Sequence, residues 1–298
     1  MKFSIIIPSF NNLNYLKLAI NSIIKNSNYN HEIIIHVNDG SDGTTDFLKE
    51  NKIKYSYSKE NSGICSGLNL GSKLATTDYI VYGHDDFYFC PGWDEAIKEE
   101  IIRIGHNAFY LSGTMMHAGP IEMNCGSSYD KFDEKKLLQT FNEPFFNDFQ
   151  GSTWAPHIIH KEYWEKVGGL SEEFNPGTGS DPDLNMKLWL NGVRIFKGIS
   201  KSRVYHFGSI VSRGYKNHKH IKTETGRIGG RIFLLKWKIT IKVFKKYYLK
   251  SDTKFKGPLT EPKKSMKFLL IMMGCQLYYW YIYLFKSKKL LEKIKINH

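Results

Sequence analysis

With 298 residues, 41% of them hydrophobic and 14% aromatic, the chain can bury a substantial core, and this composition excludes a disordered or fibrous protein. Its net charge of +13 belongs to one end: residues 1–214 hold 21 Lys and Arg against 25 Asp and Glu, whereas residues 215–298 hold 21 against 4, a local net of +17. Cys65, Cys90, Cys125 and Cys275 show no CxxC and no paired spacing, which excludes a disulfide framework or zinc site and suits reduced thiols of a cytosolic protein.

The chain opens on a predicted strand, Phe3–Pro8, whose apolar run is too short for the core of an export signal, so a cytoplasmic location is expected. The loop Ser9-Phe10-Asn11-Asn12 leads into a helix over Leu13–Lys25, with apolar residues at Leu13, Leu16, Ile20 and Ile23. Glu32–Val37 is the second strand, Thr44–Glu50 a short helix and Lys54–Ser58 the third strand. A helix follows from Gly63 to Leu74, with the small residues Gly63, Ser66, Gly67 and Gly71 along it. Tyr79–Tyr82 is the fourth strand, and Pro91-Gly92-Trp93 introduces a helix to Ile104. Such alternation of strands and helices predicts an α/β fold with a parallel sheet.

From Phe109 to Phe149 the pattern is irregular, broken by Gly113, Gly119, Pro120, Gly126 and Pro144. Beyond it, Trp154–Ile159 reads as a strand, Lys161–Val167 and Asp181–Leu190 as helices, and Arg194–Phe196 and Arg203–Phe207 as short closing strands. Arg227–Leu249 alternates basic and apolar residues at helical intervals. After Gly257-Pro258 comes Phe268–Phe285, eighteen residues without a formal charge, flanked by Lys263, Lys264 and Lys267 and by Lys286, Lys288 and Lys289. Its Tyr and Trp content suits a helix at a membrane interface, and a core-covering or oligomerisation helix is the alternative.

Two strands end in acid. Glu32-Ile-Ile-Ile-His-Val-Asn-Asp39 runs into Gly40-Ser41-Asp42-Gly43, and Tyr79-Ile-Val-Tyr-Gly-His84-Asp85-Asp86 stops on two carboxylates beside an imidazole. Carboxylates at buried strand ends need a cation or hydrogen bonds to offset their desolvation. Two such ends in one open α/β sheet face a common crevice, the arrangement that suits a divalent metal and a diphosphate. Taken singly, Asp42 reads as a helix cap, Asp183 as a first-turn acid matching the helix dipole, and Trp93 and Trp154 as packing residues.

These pieces resemble family 2 glycosyltransferases. Ile5-Ile6-Ile7-Pro8-Ser9-Phe10-Asn11, Val37-Asn38-Asp39-Gly40-Ser41-Asp42, Asn61-Ser62-Gly63 with Asn69, His84-Asp85-Asp86, Val167-Gly168-Gly169-Leu170, Ser180-Asp181-Pro182-Asp183 and Val204-Tyr205-His206 follow that family's motifs in order, from residue 3 to about 210. The resemblance implies a GT-A fold, a Rossmann-like mixed sheet flanked by helices, over residues 1–214, with 215–298 as a basic helical extension. It implies that Pro8 and Phe10 line the nucleobase pocket and that Asp39 accepts a hydrogen bond from base or ribose. Asn11, Asn61, Gly63, Asn69 and Asp85 complete the donor site on the same grounds, with Asp85 alternatively a solvent-facing neighbour. Asp86 matches the last acid of the DxD motif, which binds Mg²⁺ or Mn²⁺, and Asp181 matches the general base. His206 matches a histidine that completes the metal site in some relatives, and read alone it is equally a buried histidine. Relatives carry an acid where this chain has His84, so His84 becomes a third candidate ligand and the metal is expected mainly on Asp86 and His206.

The implied activity is inverting transfer from a nucleotide-sugar to a hydroxyl of a glycan or glycolipid. The basic tail points to an anionic membrane surface on the cytoplasmic side, and no nucleic-acid partner is expected. Transfer to a polyprenyl phosphate would need no base at Asp181, and a non-catalytic saccharide-binding protein would need none of Asp39, Asp86 and Asp181.

Overall fold

The computed structural model describes residues 1–151, 154–208 and 218–286, with the backbone alone over 218–225. The N-terminal half of the sheet is the parallel array that the sequence predicts. β1 (Ser4–Phe10) lies between β2 (Glu32–Asn38) and β4 (Tyr79–Tyr82), and β3 (Lys54–Ser58) forms the edge beside β2. The crossovers are α1 (Leu13–Asn26), α2 (Thr44–Glu50) and α3 (Gly63–Ser72). Alternation along each strand feeds two cores. Ile6, Ile34, Ile80 and Tyr82 face α3, while Ile5, Ile7, Ile35 and Val81 face α1 and α4 (Trp93–Ile104). Trp93 is fully buried in the second core, the packing role expected of it. α3 sits close over the sheet: a Cβ on Gly67 would lie 2.8 Å from the His36 ring and 3.2 Å from Pro8.

The rest of the sheet combines parallel and antiparallel pairs: two of its strands run with the first four and three run against them, which makes the sheet mixed. β8 (His157–His160) pairs antiparallel with β4 on one side and with β6 (Phe109–His117) on the other. β9 (Ile195–His206) runs parallel to β6 and takes β5 (Phe87–Phe89) and β7 (Phe149–Gln150) antiparallel. This corrects two expectations. The stretch expected to be irregular holds the nine-residue β6 and α5 (Glu134–Thr140). β6 is buried on both faces, so it lacks polar alternation, and its pairing with β9 shifts register between Ser112 and Thr114, at Gly113. The two expected closing strands are the ends of β9 alone. Its middle is disguised by Lys197, a buried cation held by Glu100 at 2.8 Å and Asp148 at 2.7 Å.

α6 (Lys161–Lys166) and α7 (Ser180–Leu190) complete the first core. The expected boundary at 214/215 lies outside the described residues, as do Lys288 and Lys289. Beyond it come α8 (His218–Trp237), α9 (Ile241–Val243, continuing as a π-helix over Phe244–Leu249) and α10 (Met266–Phe285). Ile232, Phe233, Leu234, Phe244 and Leu249 join the same cluster as Ile6, Leu184 and Trp189, so the start of the basic region packs as part of the core. α10 buries Phe268, Cys275 and Ile282, seven residues apart, and leaves most of its other apolar side chains exposed. Among the described residues it is the helix long and apolar enough to cross a membrane, by length and composition.

Candidate active site

Because β2, β1 and β4 are parallel neighbours, the loops after them share one edge of the sheet. Asn11 follows β1 and Asp39 follows β2, both in the left-handed region, with φ of 47° and 64°. Asn and Asp tolerate this conformation better than other side chains, and such residues cluster at functional sites. They face each other: Asn11 Nδ2 donates to Asp39 Oδ2 at 2.8 Å and to Ser41 Oγ at 3.0 Å. Asp42 lies one residue before Gly43, the N-cap of α2, and does a cap's work from there. It accepts the Leu13 N–H of α1 at 2.8 Å and the Thr44 N–H of α2 at 3.1 Å.

The α3 side of the edge is built around glycine and asparagine. Gly63 has φ +85°, and a Cβ there would lie 2.4 Å from Asn175 Oδ1, which accepts the Cys65 N–H at 3.0 Å. Asn61 is exposed and accepts the Gly63 N–H at 3.0 Å. Asn69 uses both ends of its amide on Leu170: Nδ2 donates to Leu170 O at 2.8 Å, and Oδ1 accepts the Leu170 N–H at 2.9 Å. That clasp holds the turn leading to α7. Pro8 and Phe10 are half-buried along β1.

Past β4 the chain places its imidazole and two acids. Asp85 is buried and accepts from Ser9 Oγ at 2.8 Å. Burial and the neighbouring Asp86 push the Asp85 carboxyl well above the ordinary carboxylate range, with the Ser9 bond acting against them. Asp86 is brought to His206 by strand register: Phe87 on β5 pairs with His206 at the end of β9. His206 Nε2 lies 3.3 Å from Asp86 Oδ2, and its Nδ1 lies 3.2 Å from the Ala118 carbonyl. An Nδ1–H donated to that carbonyl turns the Nε2 lone pair toward Asp86, the tautomer a metal ligand needs. His84 is the third member, and one ligand atom from each of His84, Asp86 and His206 lies within 4.8 Å of the others. Burial, then the adjacent His206, hold the His84 imidazole below its ordinary value and so keep it neutral. Two imidazoles and one carboxylate fit a divalent cation. The nitrogen content favours a first-row ion such as Mn²⁺ over Mg²⁺, which prefers oxygen.

Asp181 stands across from this cluster on the first turn of α7, after Gly179 at φ 96°, with its side chain 45% exposed. Tyr82 at the end of β4 donates its hydroxyl to Asp181 Oδ1 at 2.9 Å, and Tyr82 and Tyr110 bond to each other through their hydroxyls. His157 of β8 stacks on Tyr110, with ring centroids 5.1 Å apart, and its Nε2 lies 3.9 Å from Asp181 Oδ2. Burial lowers His157 to about 4 and raises both tyrosines, so all three stay neutral around the carboxylate. Sequence reasoning missed this cradle. Its members come from three different strands and share no local motif. Asp183 has a different fate, since it is fully buried. It accepts from Ser171 Oγ at 2.6 Å and Trp237 Nε1 at 2.8 Å, with Lys236 Nζ at 3.0 Å.

An open, mixed α/β sheet with acids at the carboxyl ends of its first strands, and a late strand running the same way that returns a histidine to the same edge, is the GT-A class of fold. The family model for Glycosyl transferase family 2 matches residues 4–150, just under half of the chain. An uncharacterised glycosyltransferase of Rickettsia conorii is 46% identical over 92 residues, covering 29% of this chain and 15% of the relative. Hyaluronan synthase of Pasteurella multocida is 26% identical over 228 residues, covering 73% of this chain and 22% of the synthase. The chain thus spans less than a quarter of the length of either relative. In fold it is similar to S. aureus TarS 1–349 crystallised with UDP-GlcNAc, with a TM-score of 0.56 at 15% identity, over 97% of this chain and 74% of that one.

Proposed function

We propose that this chain is an inverting, metal-dependent glycosyltransferase that moves a sugar from a nucleotide-sugar to a hydroxyl of a glycan or glycolipid. One observation carries the reading: Tyr82, two residues before His84 of the His84–Asp86–His206 cluster, donates to Asp181 at 2.9 Å, so a candidate metal-ligand set and a candidate base meet at the end of one strand. Asn11 and Asp39 present a paired amide and carboxylate where the nucleoside of the donor would sit, and Pro8 and Phe10 border it. Asp85, bonded to Ser9, would contact the sugar, with Asn61 and Gly63 at the rim and Asn69 holding the turn behind. Asp86 and His206, with His84, would hold Mn²⁺ or Mg²⁺. Bound there, the cation supplies positive charge against the leaving nucleoside diphosphate.

Asp181 takes the proton of the acceptor hydroxyl, a contribution of about 10²–10⁴-fold for a well-placed general base. The Tyr82 hydroxyl fixes one carboxylate oxygen and leaves the other for that proton. Attack from the Asp181 side, opposite the diphosphate, inverts the anomeric carbon. Residues 1–214 act as the catalytic domain, and 215–298 as a basic helical extension that continues its core and holds the protein at the cytoplasmic face of an anionic membrane. No nucleic-acid partner enters this reading.

UDP-GlcNAc, the ligand named with the TarS structure, is the first donor to try. At 100 times its dissociation constant a donor adds about 2.7 kcal/mol of stability, so a thermal-shift series of nucleotide-sugars with and without Mn²⁺ should show a metal-dependent rise for one of them. The anomeric configuration of the product, read by NMR, should be opposite to that of the donor. Retention, or no stabilisation by any nucleotide-sugar, refutes the assignment.

A further inference from the structure

A groove of about 1240 Å³ opens between α8, α9 and α10, far along the chain from the candidate active site. Seven cations line this groove, among them Arg227 and Arg231 of α8, Lys242, Lys245 and Lys246 of the α9 segment and Lys250 just after it, against one acid, Asp252. None of the seven forms an ion pair within 4.0 Å among the described residues. Like charges held this close repel one another, and a compact anion with several acceptor oxygens relieves that repulsion. The groove is not purely ionic. Tyr278 of α10 forms one wall, and the same helix exposes Leu270, Met273, Leu277, Trp280 and Tyr281 by 49–72%. A patch of this kind marks an apolar partner.

We propose that the groove is a headgroup site for an anionic phospholipid, which places its phosphate among Lys242, Lys245, Lys246 and Lys250 and its acyl chains along the exposed face of α10. Charge complementarity and the adjoining apolar helix select this ligand together, since inorganic phosphate or another polyanion would satisfy the cations and leave α10 uncovered. The proposal deepens the membrane reading given above and rests on it for the location of the lipid.

The test uses the full chain and dihexanoyl-phosphatidylglycerol below its micellar concentration, where no charged surface exists to attract the protein diffusely. Tryptophan fluorescence or ³¹P NMR should show one saturable site. Lys245→Ala/Lys246→Ala should weaken it at least tenfold, and Lys263→Ala/Lys264→Ala, the same charge loss at exposed positions outside the groove, less than twofold. Equal losses in the two pairs, no saturable site, or inorganic phosphate binding as tightly as the lipid would each overturn the proposal. Lys246→Gln alone, at an exposed position, repeats the comparison if the pair fails to fold, with at least a threefold loss expected. Vesicle sedimentation on phosphatidylglycerol against phosphatidylcholine separates the two readings. Vesicle binding that the groove pair leaves unchanged overturns the headgroup site alone, and saturable lipid binding without vesicle binding overturns the membrane seat alone.

Discussion

Asp181 and Asp183 stand two residues apart on α7, and their substitution by Asn should have opposite consequences. Asp183 is fully buried and binds Ser171, Trp237 and Lys236, so it fastens α8 to the core. Neutralising it strands the Lys236 ammonium, which is itself only 15% exposed and keeps Glu173 at 2.7 Å as its remaining acid. Breaking a buried pair from one side costs about 3–5 kcal/mol. Glu173 retains part of the interaction, so the lower end applies, about 3 kcal/mol. At roughly 2 °C per kcal/mol for a chain of this length, Asp183→Asn should lower Tm by about 6 °C. Asp181 is half-exposed and accepts its nearest bond from Tyr82 alone among the described partners, so Asp181→Asn should cost less than about 1 kcal/mol and move Tm by 2 °C or less. Its turnover should instead fall by about 10²–10⁴-fold with donor binding retained. Paired melting curves and nucleoside-diphosphate release assays read both axes at once. An Asp183→Asn protein that melts with the wild type, or an Asp181→Asn protein that turns over normally, refutes the division of roles.

Tyr82→Phe should keep the fold, the Tyr82 and Tyr110 rings being buried, but lower turnover about tenfold by releasing Asp181 Oδ1; an unchanged rate would show that the hydroxyl only packs. Asp86→Ala and His206→Ala should each abolish the calorimetric Mn²⁺ signal or weaken it at least tenfold, and full activity of Asp86→Ala, or of the wild type in EDTA, would contradict the metal site. Acid should unfold the protein partly through Glu32. Burial raises its carboxyl, but bonds from Lys54, Ser4 and Thr76 outweigh that and hold it at about 2. A depressed folded pKa stabilises above the ordinary value near 4.5 and loses that contribution as pH falls toward 2, so Glu32→Gln should flatten the decline of Tm between those limits. A decline of the same slope in both proteins would remove Glu32 from the account.

Much of the parallel half was legible because each of its signals is local. Ile5-Ile6-Ile7, Glu32–Asn38 and Tyr79–Tyr82 are short apolar runs closed by turn residues, and Thr44–Glu50, Lys54–Ser58 and Tyr79–Tyr82 coincide with the elements found. The mixed half was not legible, since β6 is buried on both faces and bulged, and β9 carries a buried lysine in its middle. The candidate metal cluster was readable as residue types, but the closeness of His206 to Asp86 depends on a β5–β9 pairing that three residues of β5 could not announce. Tyr82, Tyr110 and His157 meet only because β8 lies between β4 and β6, a fact of topology. Asp183 read as a helix-dipole acid because its partners lie 12, 53 and 54 residues away, at Ser171, Lys236 and Trp237.

The bond network at Asp183 also joins two places that the chain keeps far apart. α7 carries Asp181 on its first turn, and two residues later the same turn grips α8, beside which α10 packs, with Ile282 in the shared core and Phe268 against Tyr247 and Tyr248. Packed side chains thus link the half-exposed carboxylate to the apolar helix. If α10 rests in a bilayer, the carboxylate is carried at a set altitude above it, as a fixed jaw is carried on a caliper. A hydroxyl one or two sugar units nearer the lipid, or farther from it, would then miss the jaw, and acceptor length would be measured by the frame of the protein before any pocket examines the sugar itself.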